Sequence, residues 1–464
     1  MYGKLKARVK TASGLTEIFD CMIGTRQGCM ISPLLFILFI NVLISMFNES
    51  RCPGVFINET FPSVNALLFA DDIVLVNDTV GRLQSQLNVL HDFCKQFGMQ
   101  INKEKTKVMV FRNGGTLRRN EKWYYGGTQL ETISHYKYLG VEFSSRLVWT
   151  SALKRLCSQS LRGMMVIRTV FNQCGDMPVD IGLELFDKMV LPILEYGSEI
   201  WGYEPRDQIE AVQRKYCRIL LGVSSRTQNE VVLAECGRLP LYTRYMTKCV
   251  KFWLKIVCSA NRYTGACYEI LKTLDEAGKV TWATKVKSLL LSYGFGHVWF
   301  HQGVGNIDLF LCEFRQRLAD TARQTCLATI RASSLTMYAS YKHTLDAELY
   351  LTIKTRNHRV HLARLRTGSN SLAVNRLRGR IARNERHCKY CLNLNIEQLE
   401  DEYHVVMVCP LYHEIRQRYL PDVVNNTCLY RYTELMSTSD TSLLARLSIF
   451  TYHCMKLHKG FMSY

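Results

Sequence analysis

The sequence predicts an α+β chain: an antiparallel sheet with helices over residues 1–145, helical regions beyond, and a small metal-binding tail near residue 400. Three observations predict it. Between Asn65 and Val76, runs of Leu, Ile, Val and Phe flank the acid pair Asp71-Asp72, the pattern of two paired strands around a short polar break. Beyond Val148 the apolar residues recur at helical spacing. Between residues 388 and 409, three cysteines and a histidine fall in the order Cys388-x₂-Cys391-x₁₂-His404-x₄-Cys409, the donor types of a tetrahedral structural zinc site.

Taken in order, Gly24 to Phe36 reads as a glycine-bearing turn running through Ser32-Pro33 into a long apolar helix. Ile31 to Phe47 is the strongest membrane candidate, but Ser32, Pro33, Asn41 and Ser45 interrupt it. A span needs about 20 residues of more uniform apolarity, so a buried core helix explains it better. Leu83, Leu87, Leu90 and Cys94 give the stretch Leu83 to Phe97 a helical stripe. Strands are expected at Lys107 to Phe111 and around Trp123 to Tyr125, with Gly126-Gly127 as the turn. Helices follow at Leu153 to Phe171, Ile181 to Gly197 and Ile209 to Leu221, the last with Ile209, Val212, Tyr216, Ile219 and Leu220 on one side and Arg214, Lys215 and Arg218 on the others. Residues 241–350 are helical in pattern and carry no motif.

The net charge of +19 favours a polyanionic partner, RNA or DNA, because each Lys or Arg on a phosphate releases condensed counterions. From residue 351 to 389, eleven Lys or Arg stand against one acid, Glu385, and Arg376, Arg378 and Arg380 are the centre of that run. The 47% apolar content excludes a disordered tail and supports real cores. Eighteen cysteines are scattered through a chain whose first residues hold no apolar signal core, so reduced thiols and an intracellular place, nucleus or cytoplasm rather than secretion, are expected.

A hairpin that fixes two carboxylates suits the paired Mg²⁺ ions of nucleotidyl transfer, although an Asp pair also suits a plain turn. The surroundings favour the metal. In order, Arg26-Gln27-Gly28 with Ser32-Pro33, Phe69-Ala70-Asp71-Asp72, Asn102-Lys103-Glu104-Lys105-Thr106 and Tyr138-Leu139-Gly140 closely resemble the palm of reverse transcriptases from non-LTR (LINE-type) retrotransposons. By that resemblance, Asp71 and Asp72 bind the catalytic metal. Arg26, Gln27, Gly28, Ser32 and Pro33 frame nucleotide and template, Lys105 lies near the triphosphate, and Tyr138, Leu139 and Gly140 grip the primer. The resemblance implies a partial palm over residues 1–145, a helical thumb over 146–240, a connector over 241–350, a basic segment with a zinc module over 351–420 and a tail over 421–464.

One part of the family pattern has no counterpart. A further palm aspartate and the fingers precede the Arg-Gln-Gly turn in the family, whereas Asp20 and Glu17 stand too close to Arg26 to replace them, and Lys6 to Phe19 resembles the strand pair next to that turn. Met1 then reads as an internal start, and the expectation is a truncated palm with weak or absent Mg²⁺ binding and no polymerase activity alone. Two other classes stay open: an RNA-directed DNA polymerase completed in trans, which would take deoxynucleotides, and a host-adopted nucleic-acid-binding protein without catalysis.

The CxxC alone says little, since about one such pair is expected by chance with this many cysteines. Glu402-Tyr403-His404 through Cys409-Pro410 adds the context, because it resembles the zinc-binding tail of LINE-type reverse transcriptases. Zn²⁺ is expected on Cys388, Cys391, His404 and Cys409, with His413 as the substitute should His404 face the core; buried free thiols are the alternative.

Overall fold

The computed structural model describes residues 5–21, 28–57, 63–112, 114–424 and 426–462. The chain divides into two compact units, residues 1–148 with 260–270, and residues 149–259 with 271–464.

The first unit is organised by two helices, α1 (Ser32–Glu49) and α2 (Val80–Gln96). Pro33 opens α1, where its missing N–H breaks no helical bond, and the Thr79 side chain caps α2 by accepting from the Arg82 amide. Ile40, Leu43 and Phe47 of α1 and Leu87, Leu90, Phe93 and Cys94 of α2 form a core with Val108, Trp123, Tyr125 and Leu130. Around it lie β1 (Leu5–Ala7) with β4 (Phe19–Cys21), β2 (Lys10–Thr11) with β3 (Gly14–Leu15), and β5 (Ala66–Phe69) with β6 (Asp72–Leu75). β7 (Lys107–Val108) pairs with β10 (Glu131–Thr132), β8 (Tyr124–Tyr125) with β9 (Thr128–Gln129), and β11 (His135–Tyr138) with β12 (Val141–Ser144).

Two expectations need correction here. The single antiparallel sheet is, among the described residues, a set of two-stranded ladders, and β7–β10 is parallel. Each ladder is two to four residues long, and the core is closed by helices rather than by a second sheet. α1 is not buried all round: Leu34, Leu35, Ile37, Leu38 and Val42 are exposed on the side away from Ile40, Leu43 and Phe47. By length and composition alone it is one helix apolar enough to cross a membrane, but its inner stripe packs as a core helix.

The second unit is helical. Its helices are α3 (Thr150–Cys174), α4 (Val179–Leu185), α5 (Leu191–Leu194), α6 (Ser198–Trp201), α7 (Asp207–Leu221), α8 (Asn229–Glu235), α9 (Tyr242–Val257), the C-terminal end of α10 (Arg262–Glu276), α11 (Trp282–Ser292), α12 (Gly296–Phe300) and α13 (Ile307–Arg331). α14 (Thr336–Tyr341), α15 (Arg356–Arg366), α16 (Ala373–Arg376), α17 (Lys389–Leu392), α18 (His413–Tyr419), α19 (Pro421–Val424), α20 (Leu429–Met436) and α21 (Thr441–Met462) complete it. The helix expected from Ile181 to Gly197 is broken by a π-helical turn at Phe186–Val190. Pro192, at the start of α5, lacks the N–H that would bond one turn back, and the ladder loosens there. On α7, Ile209, Val212, Tyr216 and Leu220 are buried, whereas Ile219 is exposed because it falls one residue off the stripe. Gly222 ends α7 in the left-handed region, and a Cβ there would meet Val360 of α15 at 2.8 Å.

Residues 149–259 and 271–464, which take in the spans assigned above to thumb, connector, basic segment and tail, form one compact unit. A buried ion cluster ties parts of it together. Arg366 donates to Glu235 at 3.1 Å and pairs with Glu348 at 2.8 Å; the Arg366 and Glu235 side chains are 2% and 0% exposed. Lys342 also pairs with Glu348, Tyr350 donates to Glu235, and Arg366 reaches the Met436 carbonyl. The guanidinium lies 4.8 Å from the centre of the Tyr341 ring. Four segments far apart in sequence, around Glu235, Glu348, Arg366 and Met436, are thereby tied together.

Removing one partner of such a cluster leaves an uncompensated buried charge, which costs about 3–5 kcal/mol. Arg366→Met is therefore expected to lower the stability of this unit by about that amount in urea unfolding, and adding Glu235→Met should recover part of the loss. Equal midpoints for wild type and Arg366→Met would show that the cluster is not what holds the segments.

Candidate active site and metal centre

The acid pair is placed by the β5–β6 hairpin. Its register sets Ala66 opposite Leu75, Leu68 opposite Ile73 and Phe69 opposite Asp72, leaving Ala70-Asp71 as a two-residue turn. Ala70 has φ of 51°, a conformation that costs a non-glycine residue energy and is kept only where the surroundings enforce it. Ala66, Leu68, Ile73 and Leu75 pack on the helical core, so by alternation Leu67, Phe69, Asp72 and Val74 share the other face. The hairpin is covered on one face only: Leu67 and Phe69 are 49% and 60% exposed. The buried Gln86 of α2 donates to the carbonyls of Asn65 and Val76 at 3.2 and 3.5 Å, fixing both ends of the hairpin on the core.

Asp71 and Asp72 are both exposed. Burial, and after it the charge of Asp72, raises the Tyr138 phenol above its ordinary pKa, so the structure brings these two sequence-predicted residues into electrostatic range. Tyr138 ends β11, and Leu139-Gly140, both with positive φ, make the tight turn into β12. Asn102 accepts from the amides of Glu104 and Lys105 at 3.1 Å each, and the Tyr136 hydroxyl donates to the Lys105 carbonyl at 3.1 Å. The exposed Lys105 is thus mounted beside the same strand. Gly28 has φ of 78°, and Ser32 and Pro33 start α1 with Ser32 buried. Arg26 and Gln27 lie outside the described residues. Among the described residues no third acid, His or Cys joins Asp71 and Asp72 in a metal-holding group.

Such a group does exist in the second unit. Cys388, Cys391, His404 and Cys409 are all buried, and one ligand atom from each lies within 4.8 Å of the others. Cys391 Sγ is 3.4 Å from His404 Nε2 and 3.9 Å from Cys409 Sγ. Cys388 caps α17, and its amide donates to the Gln398 carbonyl, closing the CxxC loop. His404 opens a π-helical turn ending at Val408; Asp401 accepts from its amide at 2.8 Å. His413 is exposed and stays outside the group. Hydrogen bonding from Cys409 and His404, against burial, holds the Cys388 thiol down to about 3, whereas burial first pushes Cys391 up to about 11, and Cys409 is raised above all by its bond to Cys388. Thiolates this close repel one another, and a divalent cation among them would let all three ionise. The donor set therefore fits one metal ion.

Sequence reasoning missed the residue that holds this frame. Arg416, 3% exposed, donates to the carbonyls of Val406, Val405 and Cys409 at 2.7, 3.1 and 3.1 Å. The available signal was its spacing: Tyr412, Arg416 and Leu420 recur every four residues, and all three are buried.

The cationic residues separate into two kinds. Lys215, Arg376, Arg378 and Arg380 are exposed. Arg214 pairs with Asp207 at 2.5 Å. Arg218 donates to the Thr227 carbonyl and the Asn229 side chain, both at 2.6 Å, and burial, then repulsion from Arg214, lowers its pKa. Within the basic run, Arg359 is buried against Asp176 at 2.8 Å and Arg366 against Glu235, so part of the charge counted there faces inward.

The family described as "Reverse transcriptase (RNA-dependent DNA polymerase)" matches residues 5–143, the span that holds the hairpin, Lys105 and Tyr138. The chain carries a reverse transcriptase domain. Similar proteins include the "Putative uncharacterized transposon-derived protein F52C9.6" of Caenorhabditis elegans, 29% identical over 35% of this chain and 59% of that protein. The "Probable RNA-directed DNA polymerase from transposon BS" of Drosophila melanogaster is 26% identical over 46% of this chain and 24% of its own length. From the same fly, the "Retrovirus-related Pol polyprotein from type-2 retrotransposable element R2DM" is 27% identical over 28% of this chain and 13% of its own. The two fly proteins are thus polymerase proteins of transposable elements by their names, and the chain spans less than two thirds of the length of each of these relatives.

Proposed function

We propose that this chain is a nucleic-acid-holding part of a non-LTR retrotransposon reverse transcriptase, without polymerase activity by itself. The observation that carries the reading is the pair Asp71 and Asp72, held on a rigid hairpin tip within reach of Tyr138 and inside the matched region. Two neighbouring carboxylates bind paired Mg²⁺ weakly, because each ion keeps several waters and relies on bridging oxygens from further ligands. Lys105 and the Tyr138-Leu139-Gly140 turn serve nucleotide and primer in this reading, and the helices α3 to α7 act as a thumb on the primer–template. The Cys388, Cys391, His404 and Cys409 set holds a structural Zn²⁺: four protein donors saturate a tetrahedral ion and leave no position to activate water. Thiols kept for zinc fit an intracellular place, nucleus or cytoplasm.

The open outer face of β5 and β6 favours a second reading. With Leu67 and Phe69 exposed beside Asp72, that face is open to pack against a segment of another chain that brings a third aspartate, which would make the protein an RNA-directed DNA polymerase completed in trans and using deoxynucleotides.

Primer extension separates the two. The purified chain is expected to incorporate no labelled nucleotide on an RNA template with Mg²⁺ or Mn²⁺. Extension that disappears in Asp71→Ala/Asp72→Ala would overturn the first reading, and activity that appears only when a chain bearing a further palm aspartate is supplied would establish the second.

Binding is a separate expectation. The exposed Arg376, Arg378 and Arg380 should touch phosphates, so replacing all three with Ala should reduce the slope of log affinity against log salt by up to about 3 with little change in sequence preference. An unchanged slope would place the phosphate contacts elsewhere, with Lys215 the next exposed cation to test.

A further inference from the structure

A groove of about 800 Å³ runs between α18 and the C-terminal turns of α21, outside every motif named above. That volume is in the range of pockets that hold a small organic ligand, about 300–1,000 Å³. Flat rings line it. Tyr419 and His453 lie parallel, 9° apart with centres 5.5 Å from one another, and Phe461 stands at the far end against Tyr390. Cations rim it. Arg418 and Lys456 are exposed, Arg418 sits 5.4 Å from the centre of the Tyr419 ring, and Lys389 sits 5.9 Å from that of Phe461. Glu414 is the acid among the lining residues. Gly460 opens the floor, for a Cβ built there meets nothing within 4 Å.

We infer that this groove takes a short single strand of nucleic acid, with bases against the Tyr419–His453 plate and Phe461 and phosphates on Arg418, Lys456 and Lys389. The inference rests on the nucleic-acid reading above and names a site for it. Aromatic faces set among cations are what an unpaired strand requires, since every base offers a face to stack on and every linkage a negative charge. A duplex hides its base faces within the stack, so it can use the rim but not the rings. The CxxC loop contributes Lys389 and Tyr390, and α18 begins just after Cys409, so the same metal set fixes both ends of the groove.

The test uses the full zinc-loaded chain with a fluorescent oligo(dT) of about 12 nucleotides, within the usual size of single-strand sites, and a blunt duplex of equal length. Gly460→Leu places a side chain in the open space beside Gly460, where a Cβ meets nothing within 4 Å, and Phe461→Ala removes one ring. Each is expected to weaken single-strand binding about fivefold or more while leaving duplex affinity unchanged. Single-strand affinity unchanged in both variants, or an equal loss for single strand and duplex, overturns the groove and leaves the wider reading standing. A wild-type chain that binds neither probe overturns both.

Discussion

A guanidinium removed from water must be paired on every side, and Arg366 is that constraint here. Its carboxylate partners come from Glu235, 131 residues earlier, and from Glu348, and a carbonyl from Met436 completes the set. α8, the segment before α15, α15 itself and α20 cannot move apart without stranding a charge. Buried charges continue the frame towards the tail. Glu400 accepts from the Ala373 amide at 2.6 Å and meets His458 of α21 at 3.1 Å, while Glu402 accepts from Asn375 at 2.8 Å. Both acids stand just before His404, so the four candidate metal donors are mounted on the body of the unit rather than on a loose knuckle.

Much of this was legible because it is local. The hairpin around Asp71 and Asp72, the Gly126-Gly127 turn and the four metal donors are fixed by alternation, turn chemistry and spacing within a few tens of residues. The inward charges were not legible for the opposite reason. A count of Lys and Arg between 351 and 389 cannot reveal that Arg359 is matched by Asp176, 183 residues away, or Arg366 by Glu235. Likewise α1 reads as buried from composition, yet Leu34 and Leu38 are exposed, because apolar content says nothing about which face finds a partner.

The two units offer different donor sets. In the first, strand pairing gives carboxylates a rigid mount but leaves them in water, as hard cations with retained hydration prefer. In the second, donors are soft, close and dry, the setting in which a metal organises chain rather than substrate. The exposed arginines after α16 and the ringed groove at α21 then present the charge and flat surfaces that a polyanion with bases can use.

That second setting is the claim on which most depends, and X-ray absorption at the zinc edge tests it most directly. One zinc per purified chain is expected, with three sulfur neighbours at about 2.3 Å and one nitrogen at about 2.0–2.1 Å. An oxygen in the coordination shell, fewer than three sulfurs, or a chain that purifies without zinc would contradict it.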